Sequence, residues 1–174
     1  MKNKLSFAFI LACIILILSV LYKGLFQSEI YSPNNLTSEN FIKLKVKDFF
    51  TDEQVSLNKL IEKNNFTIIN IWASWCQPCR AEHAYLMQLT QFDNFNLIGI
   101  NYKDKKKNAT KFLNELGNPY DIILKDSKGI YSIEFGAYGV PETFIINNKT
   151  KKIIKKYIGP IDEKNLNEII EVVK

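Results

Sequence analysis

Two cysteines separated by two residues, Cys76 and Cys79, stand inside Trp75-Cys76-Gln77-Pro78-Cys79. If this pentapeptide opens a helix, the spacing puts both thiols on one side, about a turn apart and within reach of a mutual disulfide. Unpaired N–H groups and the macrodipole at a helix N-terminus favour an anion, so the Cys76 thiolate is stabilised there. Pro78 suits the first turn, where its missing N–H loses no partner. The expected layout is one exposed, activated sulfur and one shielded sulfur. That layout serves thiol–disulfide exchange, in which attack forms a mixed disulfide and the second thiol resolves it. A purely structural disulfide across so small a loop would constrain the unfolded chain little. Zinc would need two further ligands, and only His83 and carboxylates are at hand, because the third cysteine, Cys13, lies in an apolar run. Redox exchange is the expected chemistry, with no metal and no cofactor.

A second feature is Gly139-Val140-Pro141-Glu142-Thr143-Phe144. A proline entering a strand marks an edge or a turn, and an X-Pro bond is where a cis peptide is tolerated. A cis Pro141 beside the cysteines would turn the Val140 backbone outward to pair with an extended substrate chain. Alone, a proline at a strand start carries little information.

The elements that must position these residues alternate. Residues 66–73 (FTIINIWA) are near-continuously apolar and β-branched, as in a strand buried on both faces. Residues 77–92 then read as a helix with Ala81, Tyr85, Leu86, Leu89 and Phe92 roughly on one side. Residues 97–101 form a second short buried strand. A helix follows with Ala109, Phe112, Leu113 and Leu116 on one stripe; Asn108 is its expected N-cap, and Gly117 and Pro119 end it. A short strand at 121–124 and a short helix at 129–135 come next. Residues 143–147 and 152–158 flank a turn and read as a hairpin, and a last helix presents Leu166, Ile169, Ile170 and Val173. This alternation means an α/β layer fold with a mixed sheet.

From Leu5 to Tyr22 the chain carries no charge, between Lys4 and Lys23. As a helix that run is roughly 27 Å long, close to the hydrocarbon thickness of a bilayer. Lys2 and Lys4 precede it, so the positive-inside bias keeps the N-terminus in the cytoplasm and exports the chain beyond Tyr22. No small-x-small cleavage site comes after the run, which favours a retained anchor over a signal peptide. The expected organisation is an anchor over 1–23 (spanning about 5–22), a polar linker over 24–40 and one domain over 41–174. The formal charge of +5 comes from 23 Lys+Arg against 18 Asp+Glu. Three of those lysines lie in residues 1–23, so 20 basic against 18 acidic residues leaves +2 for the rest. Arg80 is the sole arginine, and no nucleic-acid face is needed to explain the charge.

The strand–WCxPC–helix unit, the Val-Pro-x-Thr-Phe loop and the closing hairpin and helix resemble the thioredoxin fold: three layers, with a central mixed β-sheet flanked by helices. Residues 70–83, Gly99–Asp104, Gly117–Asp121 and Tyr138–Phe144, together with the anchor, resemble the membrane-anchored thioredoxin-like proteins of cytochrome c maturation, the DsbE/CcmG family. The resemblance implies a protein-disulfide reductase at the bacterial inner membrane, single-pass, with its thioredoxin-like domain in the periplasm. Its dithiol would reduce the Cys-x-x-Cys-His segment of apocytochrome c, or a haem-ligation chaperone holding that segment. Electrons would come from a membrane thiol transporter. In these terms Cys76 is the nucleophile, Cys79 the resolving thiol, and Cys76–Cys79 the redox-active disulfide. Val140 and Pro141 would bind substrate, while Trp75, Pro78, Glu82 and Glu142 would support the site. Residues 117–138 resemble the family's insertion near the active site.

One departure from ordinary thioredoxin matters. Thioredoxin places a buried Asp six residues before its first cysteine, and this chain has Asn70 there. An Asn cannot take up a proton, so Glu82 or Glu142 must handle it, or water must. A carboxylate near the sulfurs would also oppose the helix dipole. His83 and Arg80 read as packing and ion-pairing residues before catalytic ones. A general extracytoplasmic reductase, or a non-catalytic binding module of the same fold, are the alternatives.

Overall fold

The computed structural model describes residues 2–26, 45–62 and 64–174. The chain divides into two compact units, Met1–Ser32 and Pro33–Lys174. Among the described residues the first unit holds one helix, α1 (Lys2–Phe26), so the linker expected from residue 24 begins as helix. From residue 27 to 40 that linker lies outside the described residues. The described side chains of α1 from Phe9 to Tyr22, free Cys13 among them, are all exposed. Among the described residues no helix is long and apolar enough to cross a membrane.

The second unit is built on a seven-stranded mixed sheet. In chain order its elements are β1 (Lys45–Asp48), β2 (Gln54–Ser56), α2 (Leu57–Ile61), β3 (Phe66–Trp72), α3 (Gln77–Leu89), β4 (Phe95–Tyr102), α4 (Lys106–Leu116), β5 (Ile122–Asp126), α5 (Ile130–Glu134), β6 (Glu142–Asn147), β7 (Lys152–Ile158) and α6 (Glu163–Val173). The spatial order is β2-β1-β5-β4-β3-β6-β7. β3, β4 and β5 are mutually parallel, and the pairings β3–β6, β6–β7, β5–β1 and β1–β2 are antiparallel. This is the three-layer thioredoxin-like α/β architecture.

Strand parity decides which residues can meet. On β3, Ile68 and Trp72 enter the core shared with Leu86 of α3, Phe112 of α4 and Leu166 of α6. Ile69 and Ile71 enter the opposite core, with Leu57 and Ile61 of α2 and Phe135 just after α5. Asn70 therefore sits on the α3 face. Its β6 partner in the register is Thr143, on the same face, while Glu142 pairs with Ile71 and sits on the other.

Two sequence boundaries shift. α3 ends at Leu89, three residues before Phe92. α4 begins at Lys106 with Lys105 as N-cap, and no side chain caps it, so Asn108 lies inside the helix. The Asp104 carboxylate accepts from the Lys105 N–H at 2.7 Å, so contacts of the preceding loop set the start of the helix.

Candidate active site

Cys76 is the N-cap of α3, in extended conformation, at the point where the chain leaves the sheet after β3. Pro78 falls in the first turn. Cys76 and Cys79 form a disulfide with Cα atoms 5.3 Å apart. The Cys79 N–H donates to Cys76 Sγ at 3.1 Å. That N–H lies at the positive end of the helix dipole, where a thiolate on Cys76 would be stabilised. The expected contrast of exposed and shielded sulfurs is absent in this oxidised form: Cys76 is 4% exposed and Cys79 2%. Both join the apolar core of Trp72, Ala73 and Phe112, which closes over the pair. Trp75, by contrast, is 57% exposed.

The loop carrying the cysteines is pinned from β4. Asp104, just beyond that strand, accepts from the Ser74 N–H at 2.6 Å and the Ser74 hydroxyl at 2.9 Å. Asn101 Nδ2 also donates to it, at 3.2 Å. Trp75 Nε1 donates to the Lys103 carbonyl at 3.1 Å, and Lys103 is held at φ 43°, in the left-handed region. Neither Asp104 nor Lys103 stands out by spacing or type. What could have pointed to them is that β4 lies beside β3, so the two strand ends emerge together.

Glu82 lies one turn beyond Cys79 and is 1% exposed. It has no cation. Asn70 Nδ2 donates to its Oε1 at 2.9 Å and the Ile161 N–H to its Oε2 at 2.8 Å. Burial dominates these two donors and pushes the carboxyl up to about 7. Asn70 is itself saturated: its Nδ2 also donates to Thr143 Oγ1 at 3.0 Å, and its Oδ1 accepts from the Tyr120 hydroxyl at 2.7 Å. Like Asp104 and Lys103, Tyr120 is a site residue to which sequence reasoning gave no role, since nothing in its local pattern says where its hydroxyl reaches.

Glu142 is bound quite differently. Its Oε1 accepts from the Tyr138 and Gly139 N–H groups at 2.7 and 3.0 Å. Its Oε2 lies 2.7 Å from Lys156 Nζ, an ion pair whose angles fall outside those of a hydrogen bond. Lys156 is also deeply buried; it donates to the Gly136 carbonyl at 2.8 Å and lies 4.2 Å from the Tyr138 ring centroid. Pro141 is buried and follows a cis Val140–Pro141 bond, with Val140 half-buried. Glu142, Lys156 and Tyr138 thus clamp the turn that leads into β6.

His83 faces away from this chemistry. Its Nε2 carries a proton, because it donates at 3.0 Å to the Gly117 carbonyl, which can only accept. The ring stands edge-on to Phe112, and burial lowers its pKa. Arg80 pairs with Glu115 at 3.5 Å and covers the Phe112 ring. Among the described residues no three His, Cys, Asp or Glu side chains converge as metal ligands.

A buried disulfide at a helix start is an arrangement suited to thiol–disulfide exchange. Residues 45–170 match the Redoxin family model. The thiol:disulfide interchange protein DsbE of Haemophilus influenzae is 43% identical over 107 residues, 62% of this chain and 58% of its own length. That of Vibrio cholerae is 33% identical over 166 residues, 89% of this chain and 88% of its own. The secreted Mycobacterium tuberculosis disulfide oxidoreductase homologous to Escherichia coli DsbE superposes with a TM-score of 0.65, covering 78% of this chain and 97% of that structure. At 15% identity that likeness concerns the fold alone. The chain belongs to the Redoxin family and, within it, to the thiol:disulfide interchange proteins of DsbE type.

Proposed function

We propose that this protein is a membrane-tethered reductant that keeps the Cys-x-x-Cys-His segment of apocytochrome c, or a haem-ligation chaperone holding that segment, in its dithiol form. The observation that carries this reading is the Cys76–Cys79 pair at the start of α3, with the buried Glu82 carboxyl one turn further along, held by hydrogen bonds and with no cation among the described residues. In the reduced protein the Cys76 thiolate attacks one sulfur of the substrate disulfide. A Cys76–substrate disulfide forms and one substrate thiolate leaves and takes up a proton. Cys79 then gives its proton to Glu82 and attacks Cys76 Sγ, so the second substrate sulfur leaves as thiolate. Two electrons pass to the substrate, and the chain is left in the disulfide form described above. A membrane dithiol restores it by the reverse sequence.

Trp75 and the Val140–Pro141 segment contact the substrate chain, and Pro78 shapes the first turn of α3. Glu142 holds the turn before β6 rather than carrying the proton, because Lys156 and two backbone N–H groups engage both of its oxygens on the face of the sheet opposite the disulfide. The tether is α1. The eighteen uncharged residues from Leu5 to Tyr22, with Lys2 and Lys4 before them, support a single span with the N-terminus in the cytoplasm and the redox domain in the periplasm.

The test mixes the reduced full chain, in detergent, with an oxidised peptide bearing Cys-x-x-Cys-His and a scrambled-sequence disulfide peptide. One dithiol should yield one reduced peptide, with the haem-attachment sequence reacting faster. Equal rates for the two peptides point to the general reductase instead.

A further inference from the structure

The amide of Asn70 has one orientation that satisfies its neighbours. Both Nδ2 hydrogens are used, on Glu82 Oε1 and Thr143 Oγ1, and Oδ1 takes the Tyr120 hydroxyl. Turned over, the amide would set its oxygen against a carboxylate oxygen at the same 2.9 Å, two acceptors face to face. Only a protonated Glu82 could tolerate that. Two neighbours are hydroxyls: Thr143 can accept or donate and so fits either orientation, which leaves the choice to Tyr120. Tyr120 is buried, and among the described residues Asn70 Oδ1 is the acceptor found for it.

The phenol cannot swing elsewhere. Its ring stacks on Trp72 with centroids 5.6 Å apart and planes at 17°. It lies across Gly99 of β4, where an added Cβ would come within 2.8 Å of Tyr120 Cγ and 2.9 Å of Trp72 Nε1. The Tyr120 N–H donates to Asn118 Oδ1 at 3.1 Å. The next residue, Asp121, exchanges hydrogen bonds with Leu97 through both backbone and side chain. A glycine on one strand, a tryptophan on its neighbour and a clamped backbone therefore deliver one hydroxyl to one amide oxygen.

We propose that Tyr120 is a positioning residue, whose hydroxyl dictates which way the Asn70 amide faces and so keeps an N–H, not a carbonyl, aimed at Glu82. The consequence for turnover rests on the reading of Glu82 as the proton carrier; the orientation itself does not. The groups around that carboxylate are few. β3 and β6 present Asn70 and Thr143, the segment before α6 presents the Ile161 N–H, and the segment before β5 presents Tyr120, which is raised by burial and by Glu82. On α3 the neighbouring titratable groups are Cys79, one turn back, and His83, turned to Gly117. Losing the hydroxyl frees the amide to turn. Its oxygen can then accept from the protonated carboxyl, and Glu82 holds its proton more tightly.

The experiment follows the carbon-13 carboxyl resonance of Glu82 against pH in the oxidised full chain, assigned by its loss in Glu82→Gln. Tyr120→Phe keeps the ring and its stacking. It should move the Glu82 midpoint upward by about one pH unit, a tenfold tighter proton. The pH profile of disulfide exchange should move with it while KM for the peptide stays put. An unmoved midpoint in a folded Tyr120→Phe protein overturns the assignment. Should that variant not fold, the wild-type protein decides: Asn70 side-chain N–H protons close to the Thr143 methyl support it, and the same protons close to the Tyr120 ring edge overturn it. If instead Glu82→Gln leaves the exchange profile unchanged, the proton-carrier reading falls, while the carboxyl titration still decides the role of Tyr120.

Discussion

Glu82 and Glu142 approach the end of β3 from opposite faces of the sheet. Asn70, which binds Glu82, and Ile71, which is opposite Glu142 in the register, are adjacent in the chain and so point to opposite sides. Only Glu82 shares a face with the disulfide. One carboxyl is buried without a cation and titrates near neutrality; the other is locked to Lys156. Glu82→Gln should therefore slow resolution of the mixed disulfide by about 100-fold, the low end of what a positioned acid–base group supplies. It should also remove the rise in that rate through pH 7. Glu142→Gln should keep the rise. Stopped-flow tryptophan fluorescence with a peptide disulfide reads both.

The same carboxyl makes stability depend on pH. Its folded pKa, about 7, lies above its ordinary value of 4.5, so the folded state binds the proton more tightly. That contribution is fully present below pH 4.5 and is lost as the pH rises through 7. Unfolding free energy should drop by roughly 3 kcal/mol across that window from this group alone. Urea titrations at pH 4.5 and 8 should show a smaller difference for Glu82→Gln than for the natural chain.

Lys156 and Glu142 form a buried pair, 5% and 2% exposed at the side chain. Removing one partner leaves the other uncompensated. Lys156→Met should cost about 3 kcal/mol or more in denaturant unfolding. It should also loosen the turn, seen as faster hydrogen exchange at the Tyr138 and Gly139 amides that Glu142 now binds. The double variant Lys156→Met/Glu142→Gln should recover part of that loss, since no lone charge is then buried.

Trp75 is exposed, and its one polar tie described is to the Lys103 carbonyl. Trp75→Ala should leave the unfolding midpoint within about 0.5 kcal/mol of the natural chain. Exchange with a peptide disulfide should slow by at least fivefold, the loss expected when an aromatic contact surface is removed. Equal exchange rates would mean that the indole does not meet the substrate.

The central strand, the helix opening at the cysteines and the closing hairpin were readable because long apolar runs and turn residues mark them. β1, β2 and α2 were not: unlike the equally short β5 and α5, they have neither a continuous apolar run nor flanking glycines to mark them. The start of α4 was misplaced for a related reason: Asn108 is a good cap by type, but Asp104 and its loop had already chosen Lys105. At the site, Glu82 and Glu142 look equivalent along the chain. Strand parity and a lysine from β7 separate them, and neither is written near them in sequence. The hydroxyl of Tyr120 reaches Asn70 across fifty residues, which no local pattern encodes.

The most direct measurement is a trap in the cell. The full chain carrying Cys79→Ser is expressed in bacteria that make c-type cytochromes, and whatever remains disulfide-linked to Cys76 is identified. The reductant reading predicts a short roster dominated by apocytochrome c or a haem-ligation chaperone, absent when Cys76 is also replaced. A broad, unselective set of partners, or no adduct through Cys76, contradicts it.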